Sequence, residues 1–357
     1  NRLLWRPQFY LFRMKTRAAI LVEQKKDLVV DEIEIPKLEH GKVLVEIKST
    51  RICGSQLGEI DGVKGPDRYL PHLLGHEAGG IVREVGPLVT RVKEGEHVVC
   101  HWRPAPGISG PCPTYNWQGA LVNAGHITTF SQYSIISESR LTPIDPKYGH
   151  EVSALMADTI TTGFGVISND AKVRIGQSVC IIGVGGIGLG AVLGAKLAGA
   201  NPIIAVDLFE HKLELAKKHG ATHCVNSSEV NLKDAVFDII GRPEVDVIIE
   251  GTGSPEMIEE AYDLTSSQGT CVLFGVMRFD QKVSFNTLPL HFGRTLTGSE
   301  GGQSRPHTDI TRYLGMMDAG AFNLEDFVSH RFCLDEINFG INRMRSGESI
   351  HTMINFN

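Results

Sequence analysis

The stretch that decides the fold reads Ser178-Val179-Cys180-Ile181-Ile182-Gly183-Val184-Gly185-Gly186-Ile187-Gly188. A continuous apolar strand, Ser178 to Ile182, runs directly into a G-x-G-x-x-G turn, and a small-residue helix, Gly186 to Leu197, follows. In that spacing Gly183 permits the tight turn, Gly185 lets the backbone approach a pyrophosphate, and Gly188 lets the helix pack closely on the strand. Gly186 and Ile187 open the helix, and its positive end is where the phosphates of a dinucleotide would sit. The glycine spacing alone is weak evidence, so its surroundings matter. A second strand, Ile203 to Val206, ends at an acid, Asp207, 19 residues beyond Gly188. A carboxylate there accepts hydrogen bonds from the adenosine ribose hydroxyls and repels a 2′-phosphate. Leu208 and Phe209 offer no arginine for such a phosphate, so the reading is NAD rather than NADP. Lys212, at the start of the charged helix Glu210 to His219, either reaches the same ribose or is a solvated helix charge.

Downstream, Val245 to Glu250 and Thr270 to Phe274 continue the alternation of buried strand and helix. Gly251-Thr252-Gly253 and Phe274-Gly275-Val276 follow those strands, at the carboxyl edge where cofactors bind. This makes Thr252, Gly275 and Val276 cofactor candidates. Continuous apolar strands separated by helices indicate a parallel sheet covered on both faces. Upstream, Val152 to Val166 reads as a helix rich in Ala, Leu and Met. From about Lys15 to Pro143 the text is different: short β segments broken by glycine and proline, such as Arg17 to Val22, Lys42 to Ser49, Gly80 to Val85 and His97 to Cys100. Turn signals at Glu39-His40-Gly41 and Lys93-Glu94-Gly95 separate them. The expected fold is α/β: a mostly antiparallel β body, residues 1–159 completed by 300–357, and a doubly wound parallel sheet over 160–299.

Composition narrows the class. The chain has 357 residues, enough for two cores, with 42% hydrophobic and 21% charged residues. A formal net charge of −6 argues against nucleic-acid binding through general electrostatics. No apolar run is long enough to span a bilayer. The seven cysteines are scattered and odd in number, which points to a reducing cytoplasm rather than a disulfide framework. Asn1 to Arg13 mixes Leu, Trp and Phe with three arginines, and reads as a packed extension or as part of a targeting segment.

A second constellation lies in the β body: Arg51-Ile52-Cys53-Gly54-Ser55, and Gly75-His76-Glu77-Ala78-Gly79-Gly80 continuing through Gly86 to Val89. Thiolate, imidazole and carboxylate are the ligand types of catalytic zinc, and three protein ligands leave a fourth position for water or substrate. Singly, a cysteine is more often a buried small hydrophobe and a histidine a hydrogen-bonded core or surface group.

Together these segments resemble the medium-chain zinc alcohol and polyol dehydrogenases. Gly75-His76-Glu77-x-x-Gly80-x5-Gly86-x-x-Val89 looks like their zinc signature, and Cys53-Gly54-Ser55 like their cysteine-glycine-hydroxyl segment. Leu155 to Gly163 looks like the segment that supplies the third ligand. The resemblance implies a GroES-like catalytic domain, a Rossmann cofactor domain, and a homodimer or homotetramer. It makes Cys53, His76 and Asp158 the zinc ligands, with Glu77 behind the metal or exchanging into its shell. Asp158 departs from the cysteine of many relatives, but carboxylates also occur there and can ligate zinc. Its alternative reading is a helix cap or polar core residue.

Other departures set further expectations. The stretch Cys100 to Trp117 lacks the four close cysteines of the family's structural zinc lobe, so one catalytic Zn2+ and no structural zinc is expected. Its His101, Trp102, Tyr115 and Trp117 suggest a substrate-facing or subunit-facing loop, or one packed on itself. Ser55 stands where the family places the hydroxyl that takes the alcohol proton, but Gly58 occupies the place of a relay histidine. Gln56 replaces an aspartate beside the histidine ligand. His351 replaces an arginine that touches the cofactor pyrophosphate, which implies a weaker or pH-dependent contact. Thr162 is expected near the nicotinamide ribose or ring. The implied reaction is hydride transfer between a secondary, polyol or sugar-like alcohol and NAD. A zinc-independent NAD(P)H quinone reductase and a non-catalytic NAD-binding redox sensor are the competing readings.

Overall fold

The computed structural model describes residues 14–356. Asn1 to Arg13, read above as an extension or targeting segment, lie outside the described residues.

The apolar runs that carry the cofactor motif form the centre of a six-stranded parallel sheet. Its spatial order is His223–Asn226, Ile203–Asp207, Val179–Ile182, Val245–Glu250, Thr265–Leu273, Thr295–Gly298. Numbered along the chain, this is the 3-2-1-4-5-6 order of dinucleotide-binding folds. Every neighbouring pair is parallel. Val179–Ile182 is wholly buried because helices cover both faces, which is why it reads as an unbroken apolar run rather than an alternating one. The helices Gly186–Leu197 and Glu210–His219 begin and end as the sequence predicts. The switch point of the strand order lies beside Val179–Ile182, so the glycine turn opens at the crevice where such sheets bind ligands.

The glycine-punctuated first part of the chain forms two mostly antiparallel units. Lys15–Leu21, Val29–Glu34, Thr114–Trp117, Ala120–Asn123 and His72–Leu73 close a small barrel. Lys42–Ile52, Glu77–Val85, His97–His101, Leu141–Pro143 and Tyr133–Ser137 pair in a second sheet. The chain returns to this sheet at its end: Thr352–Asn355 pairs antiparallel with Lys42–Ile52, placing Thr352 opposite Ile52. The stretch expected as a loop, Cys100 to Trp117, is in part barrel strand. It ends in the hairpin 114–123, with Tyr115 buried and its hydroxyl accepting from the Ile135 N–H at 2.8 Å.

The helix expected over Val152 to Val166 is longer and less regular. Helical segments abut without a break over 149–170, and two of them, Met156–Ile160 and Val166–Asp170, are wider π-type turns. Such turns recur at functional sites because the extra residue re-aims a side chain. Here the first carries Asp158. The following turn packs on the cofactor helix: a Cβ on Gly163 would lie 2.6 Å from the Gly190 backbone, so only glycine allows the two helices to approach this closely. One apolar cluster runs from Val99 and Met353 of the β body through Leu155 and Ile160 to Ile181 and Val192 of the parallel sheet. The long helix thereby fixes the metal-ligand candidates relative to the cofactor turn.

Candidate metal and dinucleotide site

Three separate segments deliver the ligand candidates. Cys53 caps the short helix Gly54–Ile60 at the end of strand Lys42–Ile52. His76 precedes strand Glu77–Val85 and Glu77 opens it. Asp158 comes from the first π-type turn. The ligand atoms of Cys53, His76, Glu77 and Asp158 all lie within 4.8 Å of one another. His76 Nε2 is 3.4 Å from Asp158 Oδ2 and 3.7 Å from Glu77 Oε1, and Cys53 Sγ is 3.9 Å from Asp158 Oδ2. Zinc bonds of about 2.0–2.3 Å at tetrahedral angles put neighbouring ligand atoms about 3.3–3.6 Å apart, so the spacing is that of a cation cage. Two buried atoms of the cluster's own side chains, His76 Nε2 and Glu77 Oε2, have no hydrogen-bond partner. In a protein interior that is a costly state unless a cation completes it. The donor set therefore fits zinc.

The surrounding groups hold the ligands in place. Asp158 Oδ1 accepts from Thr162 Oγ1 at 2.5 Å and from Trp102 Nε1 at 2.9 Å, which turns Oδ2 toward Cys53 and His76. Thr162, expected beside the nicotinamide, thus spends its hydroxyl on a ligand candidate. Trp102, which the sequence reading left in an unassigned loop, also flanks His76, with ring centroids 6.5 Å apart. Neither contact was legible in advance, since 56 residues separate Trp102 from Asp158. Gln56 uses both ends of its amide. Its amide oxygen takes the Cys53 N–H at 2.9 Å, and its nitrogen lies 2.5 Å from His76 Nδ1. A cation held on Nε2 would leave the ring proton on Nδ1, beside the Gln56 amide and the Ser55 hydroxyl. Ser55 Oγ, 3.4 Å from Nδ1, is the nearby hydroxyl acceptor.

The charges of Arg51, Cys53, His76, Glu77 and Asp158 act on one another at close range. Burial opposes the Cys53 thiolate, but Arg51 and His76 outweigh it and lower the thiol to about 7. Burial, reinforced by Cys53 and Asp158, pushes Glu77 up to about 8 against the pull of Arg51. Asp158 is held well below the carboxylate range, because His76, Thr162 and Arg51 outweigh its burial. The same partnership raises His76 well above its ordinary value despite burial. Arg51 Nε donates to Glu77 Oε1 at 2.9 Å in a pair that is almost wholly buried.

The dinucleotide side is built mainly from backbone. Gly183 takes φ +86°, Gly185 caps the helix, and the 183–188 turn remains partly open. Asp207 Oδ2 accepts from the Val184 N–H at 3.0 Å, so the acid at the second strand end touches the glycine turn. Lys212 Nζ is 3.8 Å from Asp207 and 4.6 Å from the Phe209 ring centre. Thr252 lies against Gly183 and bonds Glu250, and Gly275 and Val276 adjoin the Gly251–Gly253 segment. His351 lies beside Gly186, but its part differs from a phosphate donor. It is fully buried, and Nδ1 donates to the Phe327 carbonyl at 2.8 Å. Burial and Arg51 lower its pKa well below the usual value, so Nε2 is left as an acceptor rather than a charged donor. The pH-dependent phosphate contact expected of it has no basis in this arrangement.

Comparison with known proteins agrees with this geometry. A family described as the alcohol dehydrogenase GroES-like domain matches residues 39–146, and one described as zinc-binding dehydrogenase matches residues 186–319. An S-(hydroxymethyl)glutathione dehydrogenase of Escherichia coli is 32% identical, covering 96% of this chain and 100% of that protein. The chain belongs to the zinc-binding alcohol dehydrogenases. An alcohol dehydrogenase class-3 of Cereibacter sphaeroides is also 32% identical, again over 96% of this chain and 100% of its own length. The crystal structure of benzyl alcohol dehydrogenase from Acinetobacter calcoaceticus superposes with a TM-score of 0.87 at 27% identity, covering 96% and 100% of the two chains. As a zinc-binding alcohol dehydrogenase, this protein is an enzyme of alcohol and NAD oxidoreduction, and zinc and NAD(H) are the cofactors expected of it. No helix among the described residues is long and apolar enough to cross a membrane.

Proposed function

We propose that this alcohol dehydrogenase holds one catalytic zinc on Cys53, His76 and Asp158, with Glu77 as a neighbouring or exchanging ligand, and oxidises a secondary, polyol or sugar-like alcohol. The convergence of thiol, imidazole and two carboxylates within 4.8 Å carries the reading. When bound, zinc supplies Lewis acidity toward the alcohol oxygen and NAD supplies the hydride acceptor. The chain's own residues do the rest. Thr162 and Trp102 fix the Asp158 carboxylate, and the Trp102 indole walls the cluster beside His76. The half-buried Ser55 hydroxyl takes the alcohol proton and passes it outward; Gly58 carries no side chain, so water continues the path. The 183–188 turn takes the diphosphate, Asp207 the adenosine ribose, with Lys212 beside it, and Thr252, Gly275 and Val276 border the same crevice.

No structural zinc is proposed. Among the described residues only the Cys53 group gathers three or more metal-ligating side chains; Cys100 is buried in strand His97–His101 and Cys112 is exposed beside His126. The proposed division is a catalytic body of 1–159 completed by 300–357, and a cofactor domain of 160–299. The C-terminal strand paired to Lys42–Ile52 supports it. The seven free cysteines suit a reducing cytoplasm, and a homodimer or homotetramer is the expected assembly.

The test is an NADH-formation screen over alcohols, polyols and sugars, with zinc content measured on the parent and on Cys53→Ala. Stoichiometric zinc in the parent, and loss of zinc with at least about a thousandfold lower kcat/KM in the variant, is the expected result. A variant as active as the parent on the best substrate would overturn the reading. Metal-free NADPH oxidation, or tight NAD binding without turnover, would replace it with a reductase or a sensor.

A further inference from the structure

Two buried side chains point at the cofactor turn from the other half of the molecule. Arg51 lies on strand Lys42–Ile52 and is 1% exposed; its Nη2 has no hydrogen-bond partner. His351 precedes strand Thr352–Asn355, and its Nε2 is unpartnered as well. Both abut Gly186, the first residue of the helix whose N-terminus faces the crevice. A Cβ on Gly186 would collide with the Arg51 guanidinium and lie 3.1 Å from His351 Nε2. A guanidinium carries five N–H donors, and Glu77 accepts from only Nε. A buried arginine with so few acceptors is expensive unless an anion arrives.

We propose that Arg51 is the cation this chain presents to the dinucleotide diphosphate, reaching the turn from the catalytic body and linking it to the Glu77 carboxylate beside the metal ligands. His351 leaves this task vacant, because its Nδ1–H is committed to the Phe327 carbonyl. Arg51 fills it from the neighbouring strand: in the antiparallel register Met353 lies opposite Arg51 and Thr352 opposite Ile52, so both residues rise toward the same helix end. The guanidinium is suited to the work because its planar fork can hold a carboxylate on one edge and phosphate oxygens on another. The inference rests on the NAD reading of the turn. The rival explanation is that Arg51 only neutralises Glu77.

A double variant separates the two. Arg51→Gln with Glu77→Gln removes both charges and can retain the hydrogen bond between them, so no buried charge is left alone. Affinities for ADP-ribose and for adenosine are measured by calorimetry on the parent and the double variant, with zinc content as a check on the site. The expected result is about a tenfold or greater loss of ADP-ribose affinity with adenosine unchanged. Arg51→Lys should fall between, since a point charge replaces the fork. Equal ADP-ribose affinity in parent and double variant would overturn the proposal and leave Arg51 as the partner of Glu77 alone. An equal loss for adenosine would also overturn it, as a general disturbance of the pocket. A parent that fails to bind ADP-ribose would remove the NAD reading itself, and this inference with it.

Discussion

The cofactor turn gathers its groups within six consecutive residues, 183–188, whereas the ligand cluster draws Cys53, His76 and Asp158 from segments 23 and 82 residues apart. The turn offers backbone N–H groups placed by glycine and by a helix end, so this part of the proposed site is local, and Arg51 meets it from the other half of the chain. The cluster works through side chains, and its geometry depends on two strands and one irregular helix meeting correctly. The consequence is a difference in support. Asp207 reaches the turn directly, through Val184. Asp158 is oriented by Thr162 and Trp102, which both bond Oδ1 and leave Oδ2 toward Cys53 and His76.

The sharpest way to break this contrast is to loosen Asp158 while leaving its carboxylate present. Thr162→Val and Trp102→Phe each remove one donor to Oδ1. Outer partners of ligands commonly contribute tenfold to a hundredfold in metal affinity, so each variant should lose about that much zinc affinity in competition with a chelator. NADH binding at the turn should be unchanged. If zinc affinity holds in both variants, the cluster is as self-sufficient as the turn and the comparison fails.

Acid should act on the same side alone. The proposed zinc site would need the Cys53 thiolate and a free His76 Nε2, so protons would compete with the metal. Arg51 and His76 lower the Cys53 thiol to about 7 against its burial. Below that pH it is protonated and apparent zinc affinity should fall at least about tenfold per pH unit, more steeply with the raised His76 included. Above it the thiol contribution levels off. A chelator titration across this range reads the slope directly, and a flat profile would remove Cys53 from the ligand set.

On the other side of the comparison, Asp207→Ala should relax cofactor choice. The carboxylate that would repel a 2′-phosphate disappears, and the ratio of kcat/KM for NADP to that for NAD should rise about tenfold, mostly through lost NAD affinity. Zinc content should not move. An unchanged ratio would mean that the bond to Val184, rather than the ribose, is what Asp207 serves.

These contrasts also explain what could be read in advance. Val179–Ile182, Gly186–Leu197 and Glu210–His219 were legible because each is defined by its own burial pattern and its own turn residues. A doubly wound parallel sheet was legible because buried strands joined by helices admit few arrangements. Cys53, His76 and Asp158 became a set only through family resemblance, since nothing in their spacing says that they converge. The π-type turn at Met156–Ile160 left no mark in an otherwise helical apolar text. Arg51 and Trp102 were missed for a further reason: their roles depend on partners, Glu77 and Asp158, that adopt those positions only in the folded chain. His351 was placed correctly in sequence, but its value as a phosphate donor depended on a carbonyl at Phe327 that no motif announces.

Lys212 gives the smallest effect and the finest test of the division between backbone and side-chain sites. Its ammonium stands 3.8 Å from Asp207 and over the Phe209 ring, and its side chain is 12% exposed. Packing on the ring and an ion pair of ordinary length are modest contributors at a partly solvated position. Lys212→Gln removes the charge and keeps most of the stem that covers Phe209. If the turn holds the dinucleotide mainly through main-chain groups, NADH affinity measured by fluorescence titration should fall by less than about threefold. A loss of tenfold or more would mean that the Lys212 ammonium shares the hold on the ribose with Asp207. Two opposite charges five residues apart would then hold the ribose together, which is still a local arrangement compared with the metal cluster.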